Sequence, residues 1–212
     1  MARNLRDSGR AVKGNLTKRG LFPSETLNQS MHSVFAKTPR ARDTPLMTAP
    51  TRENAWALLT EFTASQALRR HALAVEAAMR ALARSAGVTD EAEIERWGLV
   101  GLLHDFDYEK YPTEADHVFR GMEILRQRGW PEDLIRAVGG HAFYTGIPRE
   151  TPMEKAILAA DELTGFVGAC ALVRPSKRIA DVPVESVMKR LKERAFAAKV
   201  DREYVRRGAE EW

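Results

Sequence analysis

The sequence predicts an all-α domain, and three observations carry that prediction. Apolar residues recur at three- and four-residue steps almost throughout from Thr51 onward. No alternating apolar and polar run of strand length competes with them. Breaks at Tyr111-Pro112-Thr113, Gly129-Trp130-Pro131 and Gly146-Ile147-Pro148 interrupt the pattern. No repeat of 20–50 residues divides the chain.

The elements follow in order. After Thr51, Trp56, Leu59 and Phe62 mark a first helix. Leu68, Ala72, Val75, Met79 and Leu82 step by four and three through a second, which Gly87 ends. Thr89 or Asp90 caps a third, running through Trp97, Val100 and Leu103 to His104. A fourth spans about Asp116 to Arg128. A fifth begins at Pro131 with Glu132 and Asp133 in its first turn and reaches His141. The apolar run Ala156–Val173 makes a sixth; the basic turn Arg174-Pro175-Ser176-Lys177 follows, and amphipathic helices over about Val184–Arg194 and Asp201–Glu211 complete the chain.

The run Ala156–Val173 approaches the length of a bilayer span, but it holds Asp161 and Glu162. An Asp near the centre of a span costs ~2.5–3.5 kcal/mol on insertion scales, so the run reads as a buried helix of a soluble, cytoplasmic domain. No N-terminal segment has the apolar stretch of a signal peptide. A single cysteine, Cys170, excludes an internal disulfide, and its apolar neighbours make it a core residue.

The 212 residues are 44% apolar and 29% charged, which suits one globular domain and an appendage. Residues 1–50 hold nine Lys/Arg against three Asp/Glu, whereas residues 51–212 hold 24 against 26. The isoelectric point near 9.3 therefore belongs to the N-terminal extension and gives no ground for nucleic-acid binding by the body. Residues 1–50 show no sustained period and cannot bury enough apolar area to offset ordering, so they read as disordered. Their basic, acid-poor composition is that of an organellar transit peptide. A true start at Met47, just before the first helical pattern, is the simpler reading. The folded domain is then residues 51–212.

Four of the five histidines fall in that domain, each on or beside an apolar helical face. A lone histidine there is ordinarily packed or solvated. The set is less ordinary. His71 borders the stripe of Val75 and Ala78. His104 follows Val100 and Gly101. His117 precedes Gly121, Ile124 and Leu125. His141 follows Ala137 and Val138, and Asp161 shares a face with Ile157, Thr164, Gly165 and Gly168. Five helices each aim a nitrogen or oxygen inward, where an unpaired carboxylate is expensive. Bound metal compensates inward aspartates and imidazoles together.

The order His71, His104-Asp105, His117, His141, Asp161 resembles the HD superfamily of metal-dependent phosphohydrolases over most of residues 55–205. The dipeptide closes an apolar helix in Gly101-Leu102-Leu103-His104-Asp105, and the stretch Glu154 to Thr164 is similar to the HD/HDIG-type enzymes. The resemblance implies an HD-like orthogonal helical bundle. It implies one metal on His71, His104, Asp105 and Asp161, a second on His117 and His141, and Asp105 bridging them, with His104 and Asp105 at the centre of catalysis. Imidazole with carboxylate suits Fe, Mn, Co, Ni or Zn better than an all-oxygen magnesium cage. The reaction implied is hydrolysis of a phosphomonoester, or of a nucleotide or dinucleotide phosphoanhydride, by metal-activated water. The partners expected are a small phosphorylated molecule or nucleotide, with neither nucleic acid nor membrane.

The chain departs from the family after the dipeptide, in Phe106-Asp107-Tyr108-Glu109-Lys110, so a cation assisting at phosphate is displaced to Lys110 or absent. No Gly-Tyr-Pro follows His141, which argues against cyclic dinucleotide hydrolysis. Asp107 and Glu109 either orient a ligand histidine or are solvated loop acids. Arg174 and Lys177 are further candidates for substrate phosphate, as are Arg69 and Arg70 beside His71, although loop cations are ordinarily solvated. Two other functions share the ligand set. A dinuclear-iron oxygenase would show colour and an iron EPR signal, and a non-catalytic metal- or nucleotide-binding module would bind metal without turnover.

Overall fold

A computed structural model describes residues 50–212. The expected disordered extension and the start at Met47 lie outside the described residues. Eight helices and no strand are found among those described: α1 (Arg52–Phe62), α2 (Gln66–Ser85), α3 (Glu91–Leu103), α4 (Phe119–Gln127), α5 (Glu132–Gly140), α6 (Pro152–Leu172), α7 (Val184–Leu191) and α8 (Arg202–Glu211). Short 3₁₀ turns at Phe143–Thr145 and Ile179–Asp181 join the later ones. The all-α prediction holds.

Local chemistry explains the boundaries. Side-chain oxygens of Thr51, Ser65, Asp90, Thr151 and Asp201 accept first-turn amides of α1, α2, α3, α6 and α8. Three boundaries differ from the sequence reading. Helix α6 starts at Pro152 rather than Ala156, because Thr151 and Glu154 form a reciprocal capping box. Helix α4 starts at Phe119 rather than Asp116, since buried Val118 takes φ 64° and ψ −51° at the centre of a γ-turn, where the Phe119 amide donates to the His117 carbonyl at 2.8 Å. Helix α7 stops at Leu191, where the Lys192 amide bonds back to Lys189 and Arg190.

Helix α2 packs along α3 and α6, α5 lies against α3, α4 and α6, and α8 lies against α6. Leu59, Val75, Met79, Leu99, Leu102, Leu103, Phe106, Ile135 and Ile157 fill the space between them, each 1% exposed or less except Leu103 at 2%. Each such side chain contributes ~1.5–3 kcal/mol on burial. Cys170 is buried as expected. The consequence for function is the placing of four helical elements, α2, α3, α5 and α6, around one point.

Candidate metal centre

His104 and His141 occupy equivalent positions, each the residue that ends a helix. The ring of each turns back on its own last turn. His104 Nδ1 donates to the Gly101 carbonyl at 2.8 Å, and His141 Nδ1 donates to the Val138 carbonyl at 2.6 Å. A carbonyl only accepts, so in both rings the other nitrogen, Nε2, carries the free lone pair of the neutral tautomer. Both Nε2 atoms face Asp105.

His117 reaches the same state by another route. Its Nδ1 lies 3.1 Å from Oδ1 of Asp107, whose Oδ2 accepts the Gly121 amide at 3.0 Å. Asp107 is only 1% exposed. Gly121 makes its approach feasible, since a Cβ there would stand 2.9 Å from the carboxylate carbon. Asp107 thus orients the His117 ring, in line with the first of the two roles left open by the sequence. Glu109 takes the second: it is an exposed loop acid whose carboxylate accepts the Ser65 amide at 2.9 Å.

Two groups result, and Asp105 belongs to both. His104 Nε2 lies 3.4 Å from Asp105 Oδ2 and 3.3 Å from Asp161 Oδ1, and His71 Nε2 lies 2.9 Å from that same Asp161 oxygen. His117 Nε2 and His141 Nε2 lie 3.1 and 3.3 Å from the other Asp105 oxygen, Oδ1. Ligand atoms of His71, His104, Asp105 and Asp161 all fall within 4.8 Å of one another, as do those of Asp105, His117 and His141. The structure therefore brings together all six residues named from the sequence.

The electrostatics describe a place built for positive charge. Burial opposes a proton on His104, yet the charges of Asp105 and Asp161 outweigh it and raise its pKa well above the usual imidazole value. Burial likewise opposes charge on His117, but Asp105 and Asp107 lift it to about 9. Burial pushes Asp105 and Asp161 upward, and the surrounding imidazoles more than reverse this, holding both below the usual carboxylate range. His104 is fully buried and its Nε2 has no hydrogen-bond partner. An orphaned nitrogen lone pair facing two carboxylates fits a divalent cation with mixed nitrogen and oxygen ligands.

A cavity of about 300 Å³ opens onto the cluster. Beside five of the six clustered residues, its lining includes Tyr108, Tyr144, Glu162, Gly165 and Tyr204. Glu162 is held at a raised pKa of about 7 by burial and by the neighbouring Asp161 charge. Tyr108, Tyr144, Glu162 and Tyr204 were not singled out by sequence reasoning. Adjacency to Asp161 and the i+3 step from His141 were available signals for Glu162 and Tyr144. Nothing local marks Tyr204, which arrives on α8.

The expected phosphate-binding cations are not brought to this cavity. Lys110 lies over the Phe62 ring, 3.8 Å from its centroid. Arg174 and Lys177 belong to the turn after α6, with Lys177 exposed, and neither is among the lining residues. Arg69 is spent on the Thr60 carbonyl in the last turn of α1 and on the Thr63 carbonyl that caps it, and Arg70 is exposed.

No helix among the described residues is long and apolar enough to cross a membrane. Residues 68–165 match the family model described as HD domain, a span that contains all six clustered residues. No curated protein and no solved structure matches the chain.

Proposed function

Because residues 68–165 are an HD domain, a family of the metal-dependent hydrolase type, we propose that the protein is a dinuclear metal-dependent phosphohydrolase. One observation carries the reading. The two oxygens of Asp105 are divided between two groups of ligands, Oδ2 toward His104 and Oδ1 toward His117 and His141. A carboxylate so placed would contribute to both sites if each group held a divalent ion.

In this proposal His71, His104, Asp105 and Asp161 hold one ion, and Asp105, His117 and His141 hold the other. Divalent ions held by these residues would activate water near neutral pH and offset charge on the phosphoryl group. The chain's part is positioning. The carbonyls of Gly101 and Val138 lock the tautomers of His104 and His141, and Asp107 does the same for His117. Asp161 holds the His71 ring from α6. Fe, Mn, Co, Ni and Zn all suit these ligands.

The test is add-back of Mn²⁺, Co²⁺ or Fe²⁺ to metal-stripped protein, followed by a panel of phosphomonoesters, nucleotides and dinucleoside polyphosphates. Phosphate release that depends on the added metal, at up to two ions per chain, is the expected result. Metal binding without turnover of any phosphoester would overturn the assignment.

A further inference from the structure

The cavity wall beyond the His/Asp cluster has an unusual chemistry for a phosphate enzyme. Among the described residues that line it there is no lysine or arginine, while three phenols, Tyr108, Tyr144 and Tyr204, come to it from separate parts of the chain. Two of them have a hydrogen-bonding capacity that the protein leaves unused. The Tyr144 hydroxyl is buried and has no partner. The Tyr204 hydroxyl accepts the Phe143 amide at 3.3 Å and donates to nothing among the described residues, so its proton is available.

Both phenols are held in place. Tyr204 stands edge-on to Phe143 with centroids 4.5 Å apart, and the Phe143 ring carries the guanidinium of Arg207 at 3.4 Å on one of its contacts and that of Arg149 at 4.8 Å. Helix α8, which bears Tyr204, sits so close to α6 that a Cβ on Gly208 would stand 2.8 Å from the Ala159 Cα. Arg149 fastens the far end of α8 through Glu211 at 2.6 Å. Tyr144 lies in the 3₁₀ turn three residues after His141, with the Phe119 ring 6.4 Å away. Fixed donors of this kind bind oxygen acceptors with little ordering cost.

We propose that Tyr144 and Tyr204 form a recognition subsite that donates hydrogen bonds to the hydroxyl oxygens of a compact substrate carrying a single phosphate. The proposal rests on the phosphohydrolase reading for the location of the phosphate end, at the His/Asp cluster. The absence of cations from the wall sets the other end: a second phosphate would find carboxylates and phenols there, with no positive charge to meet it. A volume of about 300 Å³ stands at the lower limit of ~300–1,000 Å³ for small-molecule sites, which suits a hydroxylated phosphomonoester and disfavours a dinucleoside polyphosphate.

Phosphonates test this without being consumed, because their carbon–phosphorus bond is not a phosphoester. The Mn²⁺-loaded full chain is titrated calorimetrically with 2,3-dihydroxypropylphosphonate, propylphosphonate and propane-1,3-diylbisphosphonate. The dihydroxy compound should bind about tenfold tighter than propylphosphonate, the size of one or two net hydrogen bonds. Tyr144→Phe and Tyr204→Phe should each remove most of that difference, with metal content and affinity for propylphosphonate unchanged. Equal binding of the two monophosphonates by the wild type overturns the proposal, as does bisphosphonate binding as tight as the dihydroxy compound. Equal loss of both monophosphonates in the phenylalanine variants also overturns it, by assigning the phenols to the phosphoryl oxygens. Phosphoester turnover with no preference for hydroxylated esters would leave the hydrolase reading intact and remove the subsite. The expected binding pattern in a protein without turnover would do the reverse.

Discussion

Asp105→Ala removes the one carboxylate that faces both groups of histidines, so metal content should fall at both positions and phosphoester turnover should vanish. His141→Ala strikes one group alone. His71, His104, Asp105 and Asp161 remain, and the variant should keep one ion per chain while losing most activity. Unchanged metal stoichiometry with near-wild-type activity would sink the dinuclear reading. Asp107→Ala leaves every proposed ligand in place but frees the His117 ring. Loss of such a supporting partner costs ~10–100-fold in metal affinity or activity, which metal titration of the second position would reveal. At this scale the sequence was informative about ligands, because a polar side chain on an apolar helical face stands out in one dimension. It left two roles open for Asp107, whose neighbours Tyr108, Glu109 and Lys110 are all exposed. Only the space left by Gly121 distinguishes it from them. Tyr204 was beyond reach, since its role arises from the packing of α8 on α6.

Helix α6 shows which features of an element are legible and which are overlooked. Its apolar run was plain, yet the helix begins four residues earlier, at a Thr151-Pro152-Met153-Glu154 signature that periodicity does not register. Thr151→Ala should cost ~0.5–2 kcal/mol of stability, read as a lower denaturation midpoint. Glu154 couples the same cap to pH. Burial raises its pKa, but the Thr151 and Glu150 amides and the Arg136 guanidinium prevail and hold it below the usual carboxylate value of 4.5. A folded-state pKa below the unfolded one contributes stability above the unfolded value, and that contribution disappears as pH falls through the folded value. Wild-type stability should therefore drop more steeply than that of Glu154→Gln between about pH 5 and pH 3, and parallel denaturation curves for the two proteins would refute the coupling. Helix α4 shows the opposite case: its start is set by the positive-φ γ-turn at Val118, which a β-branched residue adopts only under tertiary constraint.

For the molecule as a whole, the charge and periodicity break near Met47 predicts that a chain beginning there is soluble and helical by circular dichroism and binds as much metal per chain as the full sequence. An insoluble or metal-free product would show that the preceding residues contribute to the folded domain. Fold class was readable from helical period, and the cluster from the order of its His and Asp residues, since Asp105 and His117 lie in turns outside any helix. The cavity was not, because its walls come from the 3₁₀ turn after α5, from α6 and from α8, and the angles at which these meet have no one-dimensional trace. Tyr204 stands well beyond residue 165, where the HD match ends. In the functional reading proposed above, Tyr204, one of the two phenols that choose the substrate, sits outside the stretch that breaks the bond, while Tyr144 sits within it. Substituting or grafting the stretch after Leu172 can then shift substrate preference through Tyr204 while every proposed ligand stays as it is, so two chains with identical ligand residues can differ in substrate.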